Sequence, residues 1–226
     1  MSVRAWITLA VCAALAVVVA AQTVTSRPPR GPRVDAGPAL AVLAQIATVP
    51  TRVHRDDYDR TAFGPAWADG SQAASAGNGC DTRDDILDRD LTDKTYVATP
   101  ACPRAVAAGE MHSPYTGDFI AFRRGRDSGG TVQIDHIVPL AYAWDMGASG
   151  WDAPLRLTFA NDPANLVAVD GRSNQDKSDS PPGEWLPRRR SFRCRYAVQF
   201  VVVTATYRLT VDARSAGVLR SELRRC

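Results

Sequence analysis

Lysine is nearly missing from this chain: among 27 basic residues only Lys94 and Lys177 are lysines, the rest being arginines. Basic residues exceed acidic ones by only three, 27 against 24, which excludes a histone-like polycation while allowing a local basic groove. Histidine is equally scarce. With three in all, no HExxH string and no second histidine near His136, a zinc hydrolase site has no ligand set. No two cysteines are spaced as CxxC, which argues against a thiolate zinc site, and the GxSxG elbow of a serine hydrolase is missing too. Beyond residue 21 no apolar run approaches bilayer length, and no internal repeat is visible. What remains is a chain of 226 residues, 45% hydrophobic and 23% charged, which can bury one sizeable core and is neither disordered nor fibrous.

The N-terminus places Arg4 before an almost uninterrupted apolar run of 17 residues, Ala5 to Ala21, that ends in small side chains. This is a secretory leader pattern, expected over 1–21; left uncleaved it would be an N-terminal anchor. Its removal takes Arg4 with it and leaves a net charge of +2, with no further membrane partner expected. Cys12 lies inside the leader, so the exported part keeps Cys80, Cys102, Cys194 and Cys226. An even number in an oxidising compartment predicts two disulfides. Three pairings are possible; the local one, Cys80 with Cys102 and Cys194 with Cys226, closes the shortest loops and is the expectation here.

Residues 22–37 are rich in Pro and Arg and read as a tether, followed by one domain over 38–226. Leu40, Leu43, Ala44 and Ala47 predict a short helix between Pro38 and Val49. Residues 70–79 are all small or polar and read as a surface loop. FIAFRR and TVQID, separated by GRDSGG, predict a two-stranded hairpin. Tyr196, Phe200, Val203 and Tyr207 recur at helical spacing within a β-prone stretch, and Asp212 is placed to cap a last helix with Ala216, Leu219 and Leu223 on one face.

The informative stretch is VQIDHIVPL followed by FANDPANLVAVDGRSNQDKSD, which gathers Asp135, His136, Asn165, Asn174 and Lys177. Adjacent strand residues face opposite ways, so Asp135 and His136 converge on one site only if the strand ends or bends there. Lys177, three residues after Asn174, shares its face if SNQDKSD is helical. This run resembles the HNH endonuclease motif with Asn in its third position, as in the HNH domain of RNA-guided CRISPR nucleases. With YDRTAFGPAW, NGCDTRDDIL, PYTGDFIAFRRG and EWLP, the chain from Tyr58 onward resembles small secreted proteins related to the C-terminal nuclease domain of GmrSD-type restriction enzymes. The inserted ADGSQAASAG before NGCD departs from that pattern.

The resemblance implies an α+β fold around a ββα-metal hairpin and helix, with its core at about 117–187. It implies His136 as general base, Asp135 and Asn174 as ligands of one Mg²⁺ or Mn²⁺, Asn165 holding the connecting loop or orienting His136, and Lys177 facing developing negative charge. The partner would be nucleic acid, DNA before RNA; the alternative is a secreted binding module that keeps the scaffold without the chemistry. Arg83 could grip a phosphate, or pair with a carboxylate while Asp84 or Asp85 caps the helix that follows. Arg123, Arg124 and Arg126, and Arg188 to Arg190, could track a phosphate backbone or form solvated faces. His54 lies in a hydrophilic stretch and His112 before a turn, neither in company that suggests a ligand.

Overall fold

The computed structural model describes residues 35–125 and 130–226; the leader, most of the tether and Arg126 lie outside the described residues. Among the described residues no helix is long and apolar enough to cross a membrane. The chain opens with α1 (Gly37–Leu43), which has a proline in its first turn, buries Ala39 and Leu43, and ends earlier than its apolar spacing suggested. Thr48–Val49 instead forms a short strand, β1. A 3₁₀ turn, Arg60–Phe63, and the loop over 70–79 follow, then α2 (Thr82–Asp90). The cap of α2 is Asp81, whose side chain accepts from the Asp84 N–H at 2.8 Å, so neither Asp84 nor Asp85 is the cap.

Strands β2 (Thr92–Thr99), β3 (Cys102–His112) and β4 (Phe119–Arg123) form an antiparallel sheet in the order β2-β3-β4. β5 (Val132–His136) leads into α3 (Leu140–Asp145), α4 (Ala153–Asn161), β6 (Leu166–Asp170) and α5 (Gly171–Lys177). The expected hairpin of FIAFRR with TVQID does not form. β4 pairs with β3, from Ala108↔Arg123 to His112↔Phe119, while β5 pairs antiparallel with β6, from Val132↔Asp170 to His136↔Leu166. A Gly-rich connection permits a tight turn without requiring one. The sequence CPRAVAAGEMH conceals β3 because its small residues give a weak alternating signal.

The β5–β6 pair lies between two apolar clusters, and the pleat divides its side chains between them. Val132, Ile134, Leu166 and Ala168 pack with Ile86, Leu87, Val106 and Phe122 beneath α2 and the three-stranded sheet. Val167 and Val169 face a larger helical core that includes Tyr142, Tyr196, Phe200 and Leu219. Much of that core comes from α6 (Arg190–Thr206) and α7 (Ala213–Leu223). In α6 the buried Tyr196, Phe200 and Val203 stripe prevails over the β-propensity of VVVTAT, because burial along one helical face outweighs weak local preference. Asp212, in the short strand β7 (Val211–Asp212) that pairs parallel with β1, caps α7 by accepting from the Ser215 N–H at 2.8 Å.

Disulfides link Cys80 to Cys102 and Cys194 to Cys226, the local pairing. The first ties the approach to α2 to the start of β3. The second ties α6 to the chain end beyond α7.

Candidate active site

β5, β6 and α5 make a strand–strand–helix unit whose tight joint depends on Gly171. A Cβ there would come within 2.5 Å of the Gly130 carbonyl oxygen, so only glycine lets the start of α5 pass beneath the chain entering β5. Asp170 caps α5, accepting from the Ser173 N–H at 2.7 Å and from the Ser113 hydroxyl at 2.6 Å. Burial would raise its carboxyl pKa, but these hydrogen bonds prevail and hold it below the ordinary value.

Asp135 and His136 leave opposite faces of β5, because strand alternation holds to its end, yet both border one cleft at that end. Asp135 shares a face with Val167 and points toward the helical core. Its carboxylate accepts from the Lys177 ammonium at 2.9 Å and from the Tyr115 hydroxyl. Burial pushes Asp135 upward and Lys177 downward, and their mutual attraction opposes both shifts. Lys177 is fully buried and donates also to the His136 carbonyl at 2.8 Å. Its ammonium is therefore turned into the core, where it holds the Asp135 side chain and the end of β5, whereas the resemblance implied that it faces developing negative charge.

His136 points the other way, toward α4. Its Nε2 lies 2.8 Å from the Ala160 carbonyl oxygen, and Trp67 stacks on the ring at 5.9 Å between centroids and 11° between planes. A carbonyl only accepts, so Nε2 carries the hydrogen and the neutral ring keeps its lone pair on Nδ1. Burial, reinforced by the charges of Arg60 and Lys177, lowers the imidazole pKa to about 3 despite the opposing Ala160 contact. The ring is thus neutral throughout the physiological range.

Asn165 holds the turn that follows. Its Oδ1 accepts from the Val138 N–H at 2.8 Å, its amide donates to the Val138 carbonyl at 3.3 Å, and its own carbonyl accepts from the Ile137 N–H at 2.7 Å. Asn174, on the first turn of α5, donates to Gln133 Oε1 at 2.8 Å. Asp135, His136 and Asn174 line one cleft of about 500 Å³, together with Arg60 and Asp179. A groove of similar volume, about 480 Å³, runs between β6 and α6 and contains none of the candidate site residues, so volume alone does not mark the site.

Arg83, Arg123 and Arg124 do not line this cleft. Arg83 donates to the Val132 carbonyl at 3.0 Å, bracing the first residue of β5. Arg124 pairs with Asp84 and donates to the Val106 carbonyl at 2.8 Å, tying α2 to the three-stranded sheet. Arg123 is exposed at the end of β4.

The residues that sequence reasoning missed come from the segment before α2. Arg52 bridges Asp145 at 2.6 Å and Asp179 at 2.7 Å, fastening this segment to the ends of α3 and α5. Trp144 Nε1 donates to Asp57 at 3.0 Å, and Arg156 donates to the Ala62 carbonyl at 2.9 Å. So held, the segment brings Tyr58 and Arg60 to the cleft and Trp67 to His136. The string YDRTAFGPAW was the available signal, but nothing local says where it docks.

The family model for GmrSD restriction endonucleases, C-terminal domain, matches residues 81–220. A protein of Arthroderma benhamiae, named an uncharacterized secreted protein, is 33% identical over 214 residues, covering 92% of this chain and 97% of that relative. No solved structure matches the chain. With a nuclease-associated model matching more than half of its length, the chain belongs to the family of GmrSD restriction endonuclease C-terminal domains.

Proposed function

We propose that this protein is a secreted, metal-dependent endonuclease of HNH type that hydrolyses phosphodiester bonds in nucleic acid, DNA in preference to RNA, with His136 as general base. The observation that supports this best is geometric: the His136 ring is anchored through Nε2 to the Ala160 carbonyl, which leaves Nδ1 as its acceptor, and it borders the cleft that Asp135 and Asn174 also line. In the reaction a water oxygen bonds to phosphorus, the bond to one sugar oxygen breaks, His136 Nδ1 takes the water proton, and the departing oxygen is protonated from solvent. Asn165 keeps the turn after β5 in place, Lys177 holds the Asp135 carboxylate, and Trp67 covers one face of the base.

The donor set suits a hard cation. Among the described residues no group of three His, Cys, Asp or Glu side chains could hold a metal. Mg²⁺ and Mn²⁺ do not need one: they bind through one or two carboxylate or amide oxygens and keep waters and phosphate oxygens as the remaining ligands. Asp135 and Asn174 would hold the ion, since a carboxylate has about four lone-pair positions and Lys177 and Tyr115 use at most three. Such an ion, when bound, supplies stabilisation of the charge on the departing oxygen.

A leader pattern, two disulfides and a relative named as secreted support an extracellular location. No groove-reading motif accompanies the core, so affinity should rest on phosphate contacts and fall steeply between about 50 and about 300 mM salt. The test is plasmid cleavage by the purified protein with Mg²⁺ or Mn²⁺, against EDTA and His136→Ala controls. A metal-dependent nick that the variant slows by about 10² or more supports the reading. No cleavage by folded protein under any divalent metal overturns it in favour of a binding module.

A further inference from the structure

The charges in the cleft do not cancel. Two carboxylates reach it, and each has its own cation: Asp135 is paired with the buried Lys177, and Asp179 with Arg52. Arg60 is the remaining charged side chain of the lining, and among the described residues it has no hydrogen-bond or ion-pair partner. Arg60 and His136 together line both the main cleft and a hollow of about 40 Å³ beside Trp67. A side chain with five donors and none of them engaged is suited to a phosphate's oxygens.

The backbone that carries Arg60 is also fixed. Asp59 caps the 3₁₀ turn by accepting from the Thr61 N–H at 2.8 Å, and Arg156 holds the Ala62 carbonyl. Phe63 is buried against Trp144 and Phe159, with centroids 6.0 and 6.2 Å away. Such anchoring serves a group that must be in place before its ligand arrives.

We propose that Arg60 is a catalytic residue that donates to a non-bridging oxygen of the phosphodiester attacked beside His136, and so supplies the positive charge that the family resemblance implied for Lys177. This rests on the phosphodiesterase reading above, yet it assigns a role to a residue outside the 81–220 segment matched by the family model.

The experiment uses the full chain as wild type, Arg60→Ala and Arg60→Lys, and His136→Ala with and without Arg60→Ala. Because the Arg60 guanidinium has no partner to lose, the variants should melt at the wild-type temperature. Arg60→Ala should slow plasmid cleavage by about 10²-fold, with Arg60→Lys recovering part of the rate. In the His136→Ala background, Arg60→Ala should weaken binding of a fluorescein-labelled 20-base-pair duplex and lower the slope of log affinity against log salt by about one. Wild-type cleavage by a folded Arg60→Ala protein overturns the assignment and leaves the nuclease reading standing. If the wild type cuts nothing yet Arg60→Ala still lowers the salt slope, the nuclease reading fails and the phosphate contact stands. No cleavage, with duplex binding indifferent to Arg60, overturns both.

Discussion

Replacing Lys177 by Met separates two roles for this lysine that the sequence alone could not distinguish. Lys177 is fully buried, and its ammonium donates to Asp135 at 2.9 Å and to the His136 carbonyl at 2.8 Å. Methionine fills a similar volume, so the loss should be electrostatic rather than a cavity. Asp135 would keep the Tyr115 hydroxyl as its hydrogen-bond partner but lose its countercharge. Breaking a buried pair from one side costs about 3 to 5 kcal/mol, a large share of the roughly 5 to 15 kcal/mol that holds a domain together. With a urea slope of about 2 kcal/mol per molar, the unfolding midpoint should fall by about 1.5 to 2.5 M. Asp135→Asn in the same chain removes the stranded charge. The double variant should therefore be clearly more stable than the sum of the single losses predicts, with a coupling of up to about 3 kcal/mol. Urea titrations of the four proteins, followed by tryptophan fluorescence with the disulfides intact, measure this directly. A Lys177→Met protein as stable as wild type but catalytically dead would refute the reasoning and restore Lys177 as a substrate contact.

Other expectations follow from the same geometry. With its folded pKa near 3, His136 should show no imidazole titration between about pH 5 and 8, and long-range nitrogen–proton NMR should show the Nε2–H tautomer. Since the unfolded histidine binds a proton near pH 6.5 and the folded one does not until about 3, this residue's contribution to stability is intact above pH 6.5 and declines as pH falls toward 3. The total loss is at most about 5 kcal/mol, and His136→Gln should flatten that part of the stability curve. Gly171→Ala should lower stability by about 1 to 3 kcal/mol, because the new Cβ would meet the Gly130 carbonyl oxygen at 2.5 Å; an unchanged melting temperature would contradict that close approach. Opening the Cys194–Cys226 loop by a double Ser substitution should cost about 3 to 4 kcal/mol in chain entropy, and a non-reducing peptide map linking Cys80 to Cys194 would overturn the pairing itself.

The sequence by itself determined those features that depend on neighbours along the chain. The buried stripe of α6, the Asp212 cap and the choice of residue types at Asp135, His136, Asn165 and Asn174 are written in local spacing. Short loops between cysteines made the local pairing the favoured one for the same reason: closing a shorter loop costs less entropy. Tertiary structure alone decided which strands pair, since β4 and β5 are both plausible partners until β3 and β6 compete for them. It also decided the placement of Lys177, because an ammonium on α5 could turn outward to water or inward to a carboxylate, and only the packed core beside Asp135 makes the inward choice. Arg60 and Trp67 reach His136 from a segment distant in the chain, held by Arg52, Asp57 and Ala62 through partners on α3, α4 and the end of α5. Contacts of that kind depend on how separate elements dock in space, and no period or motif within a single segment records them.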